Sequence, residues 1–232
     1  GQGKYMYRII GVTKDKGKGR MFKLIKKEAL DTAYYWHNVY NQDIKWNQSD
    51  LYKGLNGISG GKYSNLFIGN STYIPSGWSD KIETMNWKYG NIADSTIGAN
   101  QAASGVVKVE QGWTTTTSSK IGLMYMADYY FGTRKTGTNC NYNSSSTYPT
   151  CKTSWMHISN NDSAPPHSYE WTMSSYGRNS NGNYNAWFVR SSGDVDWNGF
   201  VTEHSVRPVF YLKSNIAING TGTQSDPYMI VA

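Results

Sequence analysis

Charged residues are scarce in this chain, and this and other absences exclude whole classes of protein. Only 17% of the residues are charged, while Tyr (19) and Trp (9) are abundant. Such plentiful aromatic side chains exclude a disordered chain. No apolar run approaches the roughly 20 residues that a membrane-spanning helix needs. No signal peptide is recognisable either, so we expect an extracellular domain whose export or anchoring segment lies outside this sequence.

Motifs for catalysis and metal binding are also missing. The four histidines lack the spacing of metal ligands: they are His37, His157, His167 and His204. Gly57, Ser59 and Gly61 match G-x-S-x-G, but a helix is predicted before them, whereas a nucleophile elbow follows a strand. We therefore expect a protein that is not an enzyme and that needs neither a cofactor nor a metal.

Cysteine is limited to two residues, Cys140 and Cys151, at the ends of the polar segment CNYNSSSTYPTC. Two cysteines this close predict one local disulfide in an exported protein. Two free thiols in a cytosolic protein remain the alternative.

Positive charge is concentrated near the N-terminus. The formal net charge is +7, and residues 14–27 hold seven basic residues and one acid, which gives +6. No nucleic-acid motif accompanies them, so we expect no nucleic-acid partner. Lysines around a hairpin turn commonly protect a sheet edge, and attraction to an anionic cell envelope is the alternative.

The order of elements indicates an α+β domain. Two strand-like runs around KDKGKG predict a hairpin, and Ser49 or Asp50 can cap a short helix that Gly57 ends. A second helix is predicted at SDKIETMNWKYG, with Asp80 as its cap and Glu83 three residues later. Residues 90–119 suggest a loop or an irregular strand. A strand is predicted from Lys120, and a long insertion covers residues 133–168.

The C-terminal third predicts short strands, from YEWTMSSYG to SVRPVFYLKS, and then a turn with an edge strand. Arg207, just before the last core strand, is predicted to pair with a buried carboxylate or carbonyl groups and to serve as scaffold.

Several of these segments resemble a known family. KIGLMYMADYYF, the cysteine-bounded loop, WFVRSSGDV and VRPVFYLKSNIAINGTGTQSDPYMI are similar to surface-exposed bacterial domains with a C-type lectin-like fold. The resemblance implies one C-type lectin-like ectodomain over residues 1–232, with an N-terminal β-hairpin, two short helices and a C-terminal antiparallel sheet. It implies a cell-surface adhesion module, often joined to a pilin-like or other anchor, that binds a host or microbial protein or glycan.

Two alternatives accompany this resemblance. One is a structural role as a pilus-like subunit or tip component. The other is an enzyme of the formylglycine-generating type, which shares the broad fold and would need Cys140 and Cys151 as reactive thiols. In the relatives that retroelements diversify, the ligand binds at the corresponding C-terminal segment.

That segment contains DVDWNG, which matches the start of a calcium loop. Asp194, Asp196 and Asn198 stand at alternating ligand positions. The twelfth position is Ser205, where the motif needs a glutamate, and strands are predicted on both sides. A turn at Ser192-Gly193 with solvent-facing carboxylates is therefore favoured, and a calcium ion remains an alternative.

Alternation along the same segment predicts a displayed face. Trp187, Val189, Val195 and Val201 are expected to be buried. The opposite face is expected to be exposed and to bind the ligand: Phe188, Arg190, Asp194, Asp196, Trp197, Phe200, Glu203 and His204, extended by Tyr176, Arg178 and Tyr184. Exposed Trp, Phe and Arg side chains are typical of binding hot spots. Burial of half of these aromatics under neighbouring loops is the alternative.

Overall fold

Strands in small antiparallel sheets dominate the computed structural model, which describes residues 5–40, 42–93, 103–133, 152–221, 226 and 228–230. The strands are β1 (Tyr7–Asp15), β2 (Gly19–Lys26), β3 (Tyr34–Tyr35), β4 (Met85–Lys88), β5 (Thr116–Ser119), β6 (Ile121–Gly122), β7 (Glu170–Arg178), β8 (Tyr184–Val189), β9 (Val195–Gly199), β10 (Glu203–His204), β11 (Val209–Tyr211), β12 (Ile218–Asn219) and β13 (Met229–Ile230). The helices are α1 (Asp50–Leu55), α2 (Ala103–Gly112) and α3 (Met126–Thr133), with 3-10 turns at Trp46–Gln48, Trp78–Asp80 and Ile158–Asn160. The predicted α+β class is confirmed.

The N-terminal hairpin joins the C-terminal part of the chain in one sheet. β1 and β2 pair antiparallel, and the sheet order is β1-β2-β11-β6. Asp15 accepts the backbone N–H of Gly17 at 2.8 Å in the turn. The predicted hairpin is confirmed. Lys23 and Lys26 do not protect an edge, because β2 is an inner strand of this sheet and both side chains are buried.

A second sheet has the order β7-β8-β9 and carries the predicted binding segment. The short strands predicted for this region are confirmed. From Asn185 to Val189 every residue of β8 is buried, so both faces of its central strand are covered. This double coverage is typical of a strand inside a domain core and departs from the predicted alternation.

Aromatic side chains form much of the core. Trp36, Trp171 and Trp187 are fully buried, and each indole N–H donates to a backbone carbonyl, at 3.2, 2.8 and 2.8 Å respectively. A buried indole needs such an acceptor because its N–H loses water on folding. These tryptophans therefore serve the fold and not the surface.

The first predicted helix is confirmed and the second is wrong. Ser49 accepts the N–H of Tyr52 at 3.1 Å and caps α1, and Gly57, just after the helix, has φ +66°. The second segment forms only a 3-10 turn and then β4. Trp87 is buried there between two exposed neighbours, and this alternation is typical of a strand. β4 pairs antiparallel with β5.

Residues 90–133 also differ from expectation. Residues 90–119 were predicted as a loop or an irregular strand, but residues 103–112 form a helix, and among the described residues of this range a strand is present only at Thr116–Ser119. The strand predicted from Lys120 is limited to β6 before α3 begins. The carboxylate of Glu110 accepts the N–H groups of Met126 and Ala127, at 3.1 and 3.0 Å, and so caps α3. Burial raises the pKa of Glu110 to about 7.

Arg207 is scaffold, as predicted. Its guanidinium is fully buried and grips Glu170 through two hydrogen bonds, Nε to Oε1 at 2.6 Å and Nη2 to Oε2 at 2.7 Å. Nη2 also donates to the carbonyl of Met156 at 2.6 Å. The pair therefore links the first residue of β7 to the segment around residue 156. Cys140 and Cys151 lie outside the described residues, so their pairing stays a prediction.

Candidate functional site

The turn between β8 and β9 positions the candidate site. The N–H of Arg190 donates to the carbonyl of Asp194 at 2.8 Å, and the N–H of Gly193 donates back to Arg190 at 2.9 Å. Gly193 has φ +86°, which a side chain would strain. The predicted hairpin turn at Ser192-Gly193 is confirmed.

Arg190 gathers the two carboxylates of the DVDWNG stretch. It forms an ion pair with Asp196, and its Nη1 lies 3.5 Å from Oδ2 of Asp194. Ser192 donates its hydroxyl to Oδ1 of Asp194. Burial raises the pKa of Asp194, although Ser192 and Arg190 act in the opposite direction. One guanidinium therefore contacts both carboxylates, and a cation that bound to these oxygens would have to displace it.

A groove of about 540 Å³ opens beside this cluster. Its lining combines aromatic rings with charged and amide groups: Tyr169, Phe188, Arg190, Ser192, Asp196, Trp197 and Asn198. Trp197 is half-buried, and it packs against Tyr176 with a distance of 4.8 Å between the ring centroids. We name this set of lining residues the C-terminal groove.

The predicted exposure is wrong for four residues. Phe188, Asp194, Phe200 and His204 are all buried, with at most 3% of their surface exposed. Phe200 stacks on Trp36 at a centroid distance of 4.7 Å. Phe188 and His204 pack against each other and against Tyr169 and Trp171, at centroid distances of 4.2–6.1 Å.

His204 shows how complete this burial is. Neither ring nitrogen has a hydrogen-bond partner among the described residues, and burial, with His167 nearby, lowers the pKa of His204 to about 3. The ring is therefore neutral at pH 7 and acts as an aromatic filler in this cluster.

The remaining predicted residues divide into two groups. Arg190, Asp196 and Trp197 line the C-terminal groove, together with the edge of Phe188. Tyr176, Arg178, Tyr184 and Glu203 are half-buried or exposed but are not part of its lining. Val195 is buried as expected, while Val201 is only half-buried.

Sequence reasoning missed Tyr169 as a lining residue. It directly precedes β7, opposite the turn, and no local pattern indicated it. Asn198 and Ser192 were noted only for a metal and for a turn. Polar residues within a hairpin that also carries Trp and Arg were the available signal, since such mixtures line ligand sites.

Other site types find no support in the described part of the chain. No group of three or more His, Cys, Asp or Glu side chains there could hold a metal ion. None of the helices among those residues has the length and apolar character to cross a membrane. The segment before the G-x-S-x-G match is helical, as predicted, so Ser59 has no strand before it.

No family model, curated protein or solved structure matches this chain. The case for a function therefore depends on the residues of the groove.

Proposed function

We propose that this chain is an extracellular bacterial adhesion module with a C-type lectin-like fold, which binds a host or microbial protein or glycan through the C-terminal groove. One observation carries the proposal. Arg190, directly after β8, and Asp196 and Trp197, on β9, line a single groove together with Tyr169.

The chemistry of the lining suits non-covalent recognition. Trp197 and Tyr169 offer ring surface on which a sugar face or an apolar side chain can stack. Arg190, Asp196 and Asn198 supply donors and acceptors that orient a ligand. A groove of about 540 Å³ lies within the usual size range of ligand pockets.

The groove is also held rigidly from below. Met156 accepts a hydrogen bond from buried Arg207, and the adjacent His157 contacts the Arg190 carbonyl through Nε2 at 3.0 Å. His157 is itself buried. A wall fixed in this way loses little entropy when a ligand binds, which favours affinity.

The test compares two double variants on an array of glycans and surface proteins. R190A/W197A removes the cation and the largest ring of the groove. R178A/Y184A removes an arginine and an aromatic ring from neighbouring strands outside the lining. We expect the first variant to lose about tenfold or more in affinity for the captured ligand and the second less than about twofold.

Both variants must show cooperative thermal unfolding, and Phe188 is left intact for that reason. Its replacement by Ala would cost about 3–5 kcal/mol, since it is a buried aromatic. Full binding by R190A/W197A would overturn the proposal. Self-association of the unmodified chain, with no captured ligand, would favour a pilus subunit instead.

A further inference from the structure

A second and larger groove, of about 650 Å³, lies between the segment after β3, helix α1 and the loop at residues 60–62. Sequence reasoning gave no indication of it. Its lining includes His37, Asn38, Gln48, Asp50, Lys53 and Lys62. None of these residues belongs to the C-terminal groove, so the inference below does not depend on the proposed function.

Asp50 builds the floor of this second groove. Its carboxylate is buried and accepts the N–H of Asn38 at 2.9 Å and the N–H of Lys62 at 2.7 Å. It thereby holds together the two loops that form the walls. Gly61 approaches so closely that a side chain there would meet Asp50 Oδ1 at 3.2 Å. Each oxygen of the Asp50 carboxylate thus already accepts a hydrogen bond from the backbone of a groove wall.

Two lysines leave their charge available to the groove. Lys53 donates to the carbonyl of Gly60 and Lys62 to the side-chain oxygen of Asn38, each at 3.0 Å. Lys62 also lies over the ring of Tyr35, 4.4 Å from its centroid. Neither ammonium forms an ion pair with any carboxylate of the described residues. These two positioned cations outnumber the single carboxylate of Asp50 in the lining, and this excess of positive charge favours an anionic ligand.

His37 adds a polar group that is nine-tenths buried. Its Nδ1 lies 2.9 Å from Oδ2 of Asp50, although the contact lacks the alignment of a hydrogen bond. Burial, with Lys53 nearby, lowers the pKa of His37 against the opposite effect of Asp50. The lowered pKa favours the neutral ring, and no hydrogen bond to Nε2 is found within the part of the chain that is described.

We propose that this second groove binds an acidic sugar, a saccharide that carries a carboxylate or sulfate group. The two ammonium groups match the anion as point charges. Asn38, Gln42, Asn47 and Gln48 place side-chain amides on the same lining, and amides both donate to and accept from sugar hydroxyls. His37 contributes one more hydrogen-bonding group. Val39 and Ile44 are the apolar side chains of a lining that otherwise consists of amides, charged groups, His37 and glycines, and this predominance of hydrogen-bonding groups favours a hydroxyl-rich ligand over a lipid.

The experiment is an NMR titration of the 232-residue chain with glucuronic acid, glucose 6-sulfate, glucose, acetate and inorganic sulfate. We expect both acidic sugars to shift amide signals of residues 37–62 and to bind about tenfold more tightly than glucose. Acetate and inorganic sulfate test whether the anionic group alone is enough for binding. We expect acetate to bind about tenfold more weakly than glucuronic acid, and sulfate about tenfold more weakly than glucose 6-sulfate.

The decisive variant is K53Q/K62Q, which removes both cations but keeps the backbone N–H of residue 62 that Asp50 needs. K14Q/K16Q is the matched control, because it changes net charge equally and replaces exposed lysines of the N-terminal hairpin outside the lining. We expect the first variant to lose about tenfold or more in affinity for glucuronic acid and the control less than about twofold.

Three results would overturn the inference: equal binding of glucose, equal losses in the two variants, or shifts confined to residues outside the second groove. Acetate or sulfate that binds as tightly as the acidic sugar would reduce the site to a simple anion site and would also overturn it. Loss of array binding by R190A/W197A bears only on the C-terminal groove, so the two proposals can fail separately.

Discussion

Two arginines of the C-terminal sheet region have the same partner chemistry and opposite surroundings. Arg207 is fully buried and grips Glu170 with two hydrogen bonds. Arg190 keeps 31% of its side chain exposed while it contacts Asp194 and Asp196. A buried ionic pair fixes structure because removing one partner leaves an uncompensated charge. A partly exposed pair can instead exchange contacts with a ligand at modest cost.

The two clusters are connected through the backbone at residues 156–157 and through the β7–β8 pairing. Arg207 donates to the carbonyl of Met156, and the next residue, His157, contacts the carbonyl of Arg190. Glu170 also stands opposite Val189, the residue before Arg190, in the β7–β8 register. The buried cluster therefore sets the position of the exposed one, and the comparison distinguishes a residue that builds the groove from one that can meet the ligand.

The largest expected effect is at Arg207. R207M should lower the free energy of unfolding by about 3–5 kcal/mol, because the Glu170 carboxylate would stay buried without its counter-charge. Denaturant unfolding followed by tryptophan fluorescence measures this loss.

The double variant R207M/E170L is the control, since it removes both charges and should recover at least half of the loss. An R207M protein that is as stable as the parent would show that the buried pair does not anchor the sheet, and the contrast with Arg190 would disappear.

His204 extends the comparison to a buried polar group that forms no ion pair within the described ranges. Its pKa is lowered from 6.5 to about 3, so the unfolded chain takes up a proton below pH 6.5 that the folded chain refuses until about pH 3. The contribution of the buried, neutral His204 ring to the free energy of unfolding is fully present above pH 6.5 and is lost as the pH falls toward 3. H204F should remove this pH dependence. Below pH 6 the free energy of unfolding of the variant should therefore rise relative to that of the parent by about 1 kcal/mol for each pH unit.

The measurement is the difference in unfolding free energy between H204F and the parent from pH 7 to pH 4. Glu110 acts in the opposite sense, because its pKa is raised from 4.5 to about 7 and its contribution is lost as the pH rises through that window. Both proteins contain Glu110, so its effect cancels in the difference. A difference that stays constant with pH would contradict the burial of a neutral His204.

Local patterns predicted the fold where its causes are local. The N-terminal hairpin, the Ser49 cap and the turn at Gly193 depend on residues a few positions apart, and all three are confirmed. Helix α3 was missed because its capping carboxylate, Glu110, is 16 residues from Met126. No window of sequence shows that the two meet, and an apolar run such as GLMYM fits a strand equally well.

The same limit explains the candidate site. Alternation assigns Phe188 and His204 to an open face only if nothing covers that face. The rings of Tyr169 and Trp171, on the residues before and within β7, pack over both side chains. Arg190 directly follows β8, and Asp196 and Trp197 lie on the edge strand β9, and all three line the groove. Alternation along a strand therefore predicts exposure only where no other element packs on the strand, and that packing depends on residues distant in the sequence.

The smallest expected effect is on stability at Arg190. R190M should lower the free energy of unfolding by only about 1 kcal/mol at low salt, because solvent reaches the partly exposed side chain and Ser192 still donates to the buried Asp194 carboxylate. The loss should shrink further in about 1 M sodium chloride, where the Debye length falls to about 3 Å. Denaturant unfolding at the two salt concentrations measures both values.

R207M provides the matched comparison, since a buried pair is screened far less and its loss should change little with salt. A loss at Arg190 as large and as independent of salt as the loss at Arg207 would place both arginines in the scaffold. In that event Arg190 could not exchange Asp196 for a ligand without weakening the fold, and the C-terminal groove would have to recognise its partner through Trp197, Tyr169 and Asn198 alone.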